Sequence, residues 1–189
     1  MPETIRAKPL HPRIEELLEH LEETRAVLTM AVAAVPASLR AARPAPDRWS
    51  LGEIVDHVSK VETAFTRLLS KRVAQARERG DPGETDDSSI LAGFDSKRAT
   101  DRSRPFEAPP IVVPLEGATV EGGLVSLAAT RAALRAALAD ASGVALGAIV
   151  HPHPMLGALN LYQWGIVLGW HDVRHAEQIR EIAQGKPSG

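Results

Sequence analysis

The chain has 189 residues, 44% of them hydrophobic and 24% charged, with seven histidines, no cysteine and a formal charge of −2. This composition suits one soluble domain over residues 1–189 and excludes disordered and collagen-like chains. Without cysteine there is no disulfide scaffold, thiolate metal site or thiol nucleophile. The near-neutral charge gives no electrostatic case for nucleic acid or an anionic membrane as partner.

The N-terminal residues turn acidic with no apolar signal segment. The most apolar window, Leu28–Leu39, contains Pro36 and falls short of the roughly 20 residues that cross a bilayer. A cytoplasmic location is expected. The first helix is predicted from about Pro12 to Val35, with Ile14, Leu17, Leu18, Leu21, Leu28, Val32 and Val35 at spacings of three and four. Glutamates fill its other faces, so His11 and His20 are expected to be solvated. The apolar stripe and the run Met30–Val35 exceed the needs of a small core, and a homodimer is expected from them.

Ser50-Leu51-Gly52-Glu53 has the spacing of a capping box, with Trp49 and Ile54 placed as a hydrophobic staple. A second helix should therefore run from about residue 50 to Arg79 and stop at Gly80-Asp81-Pro82-Gly83. Ile54, Val58, Val61, Phe65 and Leu68 mark its inner face. The polar stretch from Gly80 to about Thr119 is a long connection, and Ile111-Val112-Val113, between prolines, hints at extended chain lying along the helices. The third helix is expected from about Glu121 to Ala141, with Leu124, Leu127, Leu134 and Leu138 inward and Arg131 as a rim side chain. Residues 144–159 read as loop. The fourth helix should begin near Asn160, a suitable N-cap, and end by Gln184, ahead of Gly185 and Pro187. Four helices with long connections between the second and third and between the third and fourth predict an all-α four-helix bundle.

On the last helix, Leu161, Trp164, Leu168, His171, His175, Gln178 and Ile182 form a seam at alternating spacings of three and four. His171 and His175 sit one turn apart on one face, and both can reach one ion about 2.0–2.1 Å from each nitrogen. On the second helix, His57 falls beside the inward face. One core histidine is most often a hydrogen-bonded structural residue. Three together are costly without partners, at about 1–3 kcal/mol for each unsatisfied ring. A shared divalent ion satisfies one nitrogen of each. His151 and His153, each followed by proline, are the rival ligands.

The run Trp49-Ser50-Leu51-Gly52-Glu53-Ile54-Val55-Asp56-His57 resembles the second-helix signature of the DinB-like superfamily (DinB/YfiT-type metalloenzymes). His153 to Ile179, HPMLGALNLYQWGIVLGWHDVRHAEQI, is similar to its fourth-helix signature, and RPFEAPPIVVP to the segment between helices. The resemblance covers roughly residues 10–185. It implies a divalent metal, zinc or nickel ahead of iron or manganese, held by His57, His171 and His175. It also implies a metal-dependent enzyme, either a thiol-dependent S-transferase using a low-molecular-weight thiol or a hydrolase acting on a small molecule. The alternative is a non-catalytic, stress-associated metal-binding module acting through dimerisation.

Three neutral imidazoles leave open positions on a metal, the arrangement of a catalytic site. Glu53 and Gln178, each one turn from a ligand, are the candidate catalytic side chains. Asp56 and Asp172 are expected at the rim or behind the ligands, and Trp164 and Trp170 in the core.

Overall fold

The computed structural model describes residues 9–102 and 107–185. Arg104–Phe106, part of the proline-flanked segment, and Pro187, beyond the last helix, lie outside them.

The described chain is mostly helical. α1 spans Pro12–Ala33, α2 Leu51–Arg79, α3 Lys97–Thr100, α4 Val120–Asp140 and α5 Leu161–Ala183. The α2 start follows its sequence signal closely. The Ser50 hydroxyl accepts from the Glu53 N–H at 3.3 Å, and the Glu53 carboxylate accepts from the Ser50 N–H at 2.8 Å. Gly80 ends α2 with φ of 69°, a left-handed cap. α5 opens on a second capping box, between Asn160 and Gln163, that the S/T-x-x-E pattern does not reveal. No helix among the described residues is long and apolar enough to cross a membrane.

The two long connections hold structure that periodicity missed. Residues 150–159, expected as loop, and the N-cap Asn160 form an antiparallel hairpin of β1 (Val150–His153) and β2 (Gly157–Asn160). Pro152 and Pro154 argue against a strand inside a sheet, but a two-stranded ribbon consists only of edges and tolerates them. The hint of extended chain at Ile111–Val113 resolves into a 3₁₀ turn over Pro110–Val112, with Val113 extended. As expected, the segment lies along a helix. α3 is a single turn within the first connection.

α2 packs most extensively on α4, and α1 on α5. α2 and α5 also lie against each other, and the turn at Pro110–Val112 rests on α2. The core has two apolar clusters. One gathers Leu17, Leu21, Phe65, Leu134, Leu138 and Ile166. The other gathers Leu28, Val32, Ile54, Val58, Leu127 and Ile179.

In sequence, each long helix carries one buried Asp, Glu or Arg between its contributions to these clusters: Arg25, Glu62, Arg131 and Asp172. Arg25 donates to Asp172 at 2.7 Å and to Glu62 at 3.0 Å, and Arg131 donates to Glu62 at 2.6 Å. Arg131 also reaches Asp172 at 3.5 Å and the Leu21 carbonyl at 2.5 Å, and Thr130 donates to Glu62 at 2.6 Å. Arg131 is therefore no rim residue. Two arginines and two carboxylates cancel in charge, and this makes burial tolerable.

Three further expectations change. Leu124 is exposed, and Val120 and Gly123 face inward beside the expected Leu127. His20 is buried, with Nε2 3.0 Å from the Ile166 carbonyl. It fits because α5 has a glycine opposite: a Cβ at Gly169 would stand 2.3 Å from His20 Nε2. The run Met30–Val35 is half internal: Ala31, Val32 and Val35 are core residues, whereas Met30, Ala33 and Ala34 are exposed.

Candidate metal centre

His57 lies in the second turn of α2, and His171 and His175 one turn apart on α5, so α2–α5 packing brings all three together. Nε2 of His171 lies 3.3 Å from Nε2 of His57 and 3.1 Å from Nε2 of His175. The three ligand atoms all lie within 4.8 Å of one another. Two imidazoles bound at about 2.05 Å to a tetrahedral ion hold their nitrogens about 3.3 Å apart, and about 2.9 Å apart at right angles. Both observed separations fall in that range, so the cluster can hold a metal ion.

The other ring nitrogens set the protonation. His57 Nδ1 lies 2.7 Å from the Val112 carbonyl, which can only accept, so Nδ1 carries the proton and Nε2 presents a lone pair. His175 Nδ1 lies 2.9 Å from the Gln178 Oε1 and is arranged likewise. His171 Nδ1 is buried with no hydrogen-bond partner among the described residues. In the absence of an ion, His171 Nε2–H can donate to one neighbouring Nε2 but not to both. An ion accepts all three lone pairs. Burial first, then the neighbouring histidines and Arg174, hold His171 well below its ordinary pKa. Burial and His57 bring His175 down to about 3, and burial lowers His57. All three rings are neutral at pH 7, the form that binds metal.

Two turns of α2, Glu53 to Lys60, also hold the covering segment. The Lys60 ammonium donates to the Val113 carbonyl at 2.9 Å, and Asp56 accepts from the Leu115 N–H at 2.8 Å. Glu53 accepts from the Gly117 N–H at 3.2 Å and from Arg43 at 2.5 Å. Gly52 is required here, because a Cβ would stand 1.9 Å from the Ala118 carbonyl oxygen. Trp49 covers His57, with ring centroids 4.8 Å apart.

Glu53 is thus engaged by the α2 cap, Arg43 and Gly117. Burial alone would raise its pKa, but the Ser50 N–H, Arg43 and the Gly117 N–H outweigh it and hold the carboxyl below its ordinary value. Asp56 pairs with Lys60 at 2.9 Å, and Asp172 belongs to the charged layer. Of the two candidate catalytic side chains, Gln178 touches a site histidine. The i, i+3 relation to His175 was the signal for it; the Val112 carbonyl had none.

The loop histidines have hydrogen-bond partners of their own. His151 Nδ1 accepts from Arg72 at 2.9 Å. His153 Nδ1 accepts from the Met155 and Leu156 N–H groups at 3.2 and 3.3 Å, and its ring packs 4.5 Å from Trp164. Burial lowers the His153 pKa to about 4. Trp164 also stacks on Phe65, and Trp170 lies against His20. His11 caps α1, its ring accepting from the Arg13 N–H.

An uncharacterized protein of Bacillus subtilis (strain 168), YuaE, is 26% identical to this chain over 142 residues, covering 75% of this chain and 82% of that protein. No solved structure matches. The sequence profile of the DinB superfamily matches residues 20–179, a span that includes His57, His171 and His175, and the chain belongs to that superfamily.

Proposed function

We propose that His57, His171 and His175 hold one divalent metal ion, zinc or nickel ahead of iron or manganese. On this reading the chain is a DinB/YfiT-type four-helix bundle acting in the cytoplasm as a metal-dependent enzyme on a small molecule. The observation that supports it best is the convergence of three Nε2 atoms, two of them freed by Nδ1 hydrogen bonds to Val112 and Gln178. Three imidazole ligands leave room for a further ligand, as in catalytic sites.

Of the two reactions, thiol-dependent S-transfer fits better than hydrolysis. The bound metal supplies Lewis acidity that lowers the pKa of a coordinated thiol or water. A thiol starts near a pKa of about 8.5 and bulk water at about 15.7, so the thiol needs less help. Glu53, Asp56, Asp172 and Glu177, the carboxylates within four residues of a ligand in sequence, are all engaged elsewhere. None is left to take a proton from water.

The test is a screen of zinc- and nickel-loaded protein with low-molecular-weight thiols and a chromogenic electrophile, beside an ester and amide hydrolysis panel. Metal-dependent thiol consumption is expected. Hydrolysis without thiol dependence would overturn the choice of reaction. Inactivity in both panels would favour the non-catalytic module.

A further inference from the structure

We propose that Asp56 and Lys60 are positioning residues of the metal centre. They clamp the covering segment to α2 so that the Val112 carbonyl stays on His57, and metal binding and docking of the segment become one coupled event. The inference rests on the metal-site reading above and adds to it a strap whose seating sets the affinity of the site.

The two histidines with a fixed Nδ1 proton are held differently. His175 takes its partner, Gln178, from its own helix. His57 takes its partner, the Val112 carbonyl, from 55 residues further along the chain. The tautomer that presents the His57 Nε2 lone pair therefore depends on a tertiary contact. With the segment undocked, Nδ1 has no fixed acceptor, and the ring is free to turn or to carry its proton on Nε2.

Apolar burial does little to seat the segment. Of Ile111, Val112, Val113 and Leu115, Val112 alone is buried. The turn closed by the Val112 N–H on the Pro109 carbonyl, at 2.9 Å, shapes residues 109–112 but does not attach them to α2. The attachment is polar. The Lys60 ammonium bridges the Val113 carbonyl and the Asp56 carboxylate, each at 2.9 Å. The same carboxylate oxygen accepts from the Leu115 N–H at 2.8 Å. One turn earlier on α2, Glu53 accepts from the Gly117 N–H. Residues 113, 115 and 117 thus meet 60, 56 and 53, so the segment runs antiparallel to α2 with its contacts spaced three and four apart around His57. With side chains 28% and 15% exposed, Lys60 and Asp56 are shielded enough to hold a geometry that a fully exposed pair does not. By reciprocity, the factor by which the docked segment tightens metal binding is the factor by which bound metal tightens docking.

The test uses the full chain, metal-free and zinc-loaded, with two readouts: zinc affinity by chelator competition, and exchange of individual backbone amides by NMR. In the wild type, zinc should slow exchange at Leu115 and Gly117. Lys60→Met should weaken zinc binding by about 10-fold with its helical circular dichroism unchanged, and the zinc-dependent slowing at Leu115 should shrink with it. Lys60→Arg, which keeps the charge and a donor, should recover most of the affinity. The sign separates the clamp from simple charge, because removing a cation near a divalent ion would by electrostatics alone tighten binding. Lys71→Met, which removes an exposed lysine of the same helix, should bind zinc as the wild type does. Zinc binding in Lys60→Met as tight as in the wild type, or tighter, would overturn the clamp. So would wild-type exchange at Leu115 and Gly117 that zinc leaves unchanged, and this measurement decides alone if Lys60→Met does not fold. Failure of the wild type to take up zinc would overturn the metal-site reading itself, and this inference with it.

Discussion

At Gln178 a single amide oxygen holds the Nδ1 proton of His175, 2.9 Å away. Such a partner orients a ligand without binding the ion, and its loss typically weakens metal binding by about 10- to 100-fold. Gln178→Ala should show that loss in a chelator competition and still fold. Unchanged affinity would mean that the α5 backbone alone orients His175. His20→Ala is expected to behave oppositely. It removes a buried ring bonded to the Ile166 carbonyl and should cost about 1–3 kcal/mol of stability. Metal stoichiometry should stay as in the wild type. The depressed histidine pKa values set the pH dependence. In the metal-free protein, His20, His57 and His171 lie below 6.5, and His175 at about 3. Below about pH 6.5 the unfolded chain takes up protons that the folded state refuses. Stability should be complete above that pH and fall as pH drops toward 3. A bound ion adds stability of its own and is displaced by protons over the acidic range. Thermal melts of metal-free and zinc-loaded protein from pH 8 to 4 check both trends; a metal-free melting temperature that rises on acidification would contradict them.

Among the elements, α2 shows what a sequence can and cannot disclose. Its cap is a local pattern, so Ser50, Glu53 and the stop at Gly80 were legible. His57, His171 and His175 were legible because helical spacing puts histidines on apolar faces, where they need a reason. The charged layer was not legible. Arg25, Glu62, Arg131 and Asp172 each look like surface charge in one dimension, and burial becomes acceptable only when the other three helices supply partners. The hairpin was hidden by prolines that only an all-edge ribbon accepts. The layer carries a strong expectation. Glu62→Ala leaves two buried guanidinium groups with Asp172 as their shared carboxylate, one buried positive charge uncompensated, and should cost about 3–5 kcal/mol. A denaturant-midpoint shift corresponding to less than 1 kcal/mol would show that Arg25 and Arg131 find other partners.

At the scale of the whole molecule, the expected homodimer loses part of its basis, because Ala31, Val32 and Val35 of the Met30–Val35 run are internal. The apolar side chains left for an interface include Met30 on α1, Leu124 and Val125 on α4, and Ile111 and Leu115 on the covering segment. A dimer mass by light scattering at micromolar concentration is expected, abolished by Val125→Glu if the α4 surface forms the contact; a monomer mass for the wild type would end that expectation. The central claim concerns the three histidines, and elemental analysis of tag-free protein dialysed at pH 7.5 tests it most directly. Wild type and His11→Ala should each hold close to one zinc or nickel ion per chain, and His171→Ala should hold almost none while keeping its helical circular dichroism. Full occupancy in His171→Ala, or a wild type that stays metal-free when offered zinc and nickel, would contradict the account.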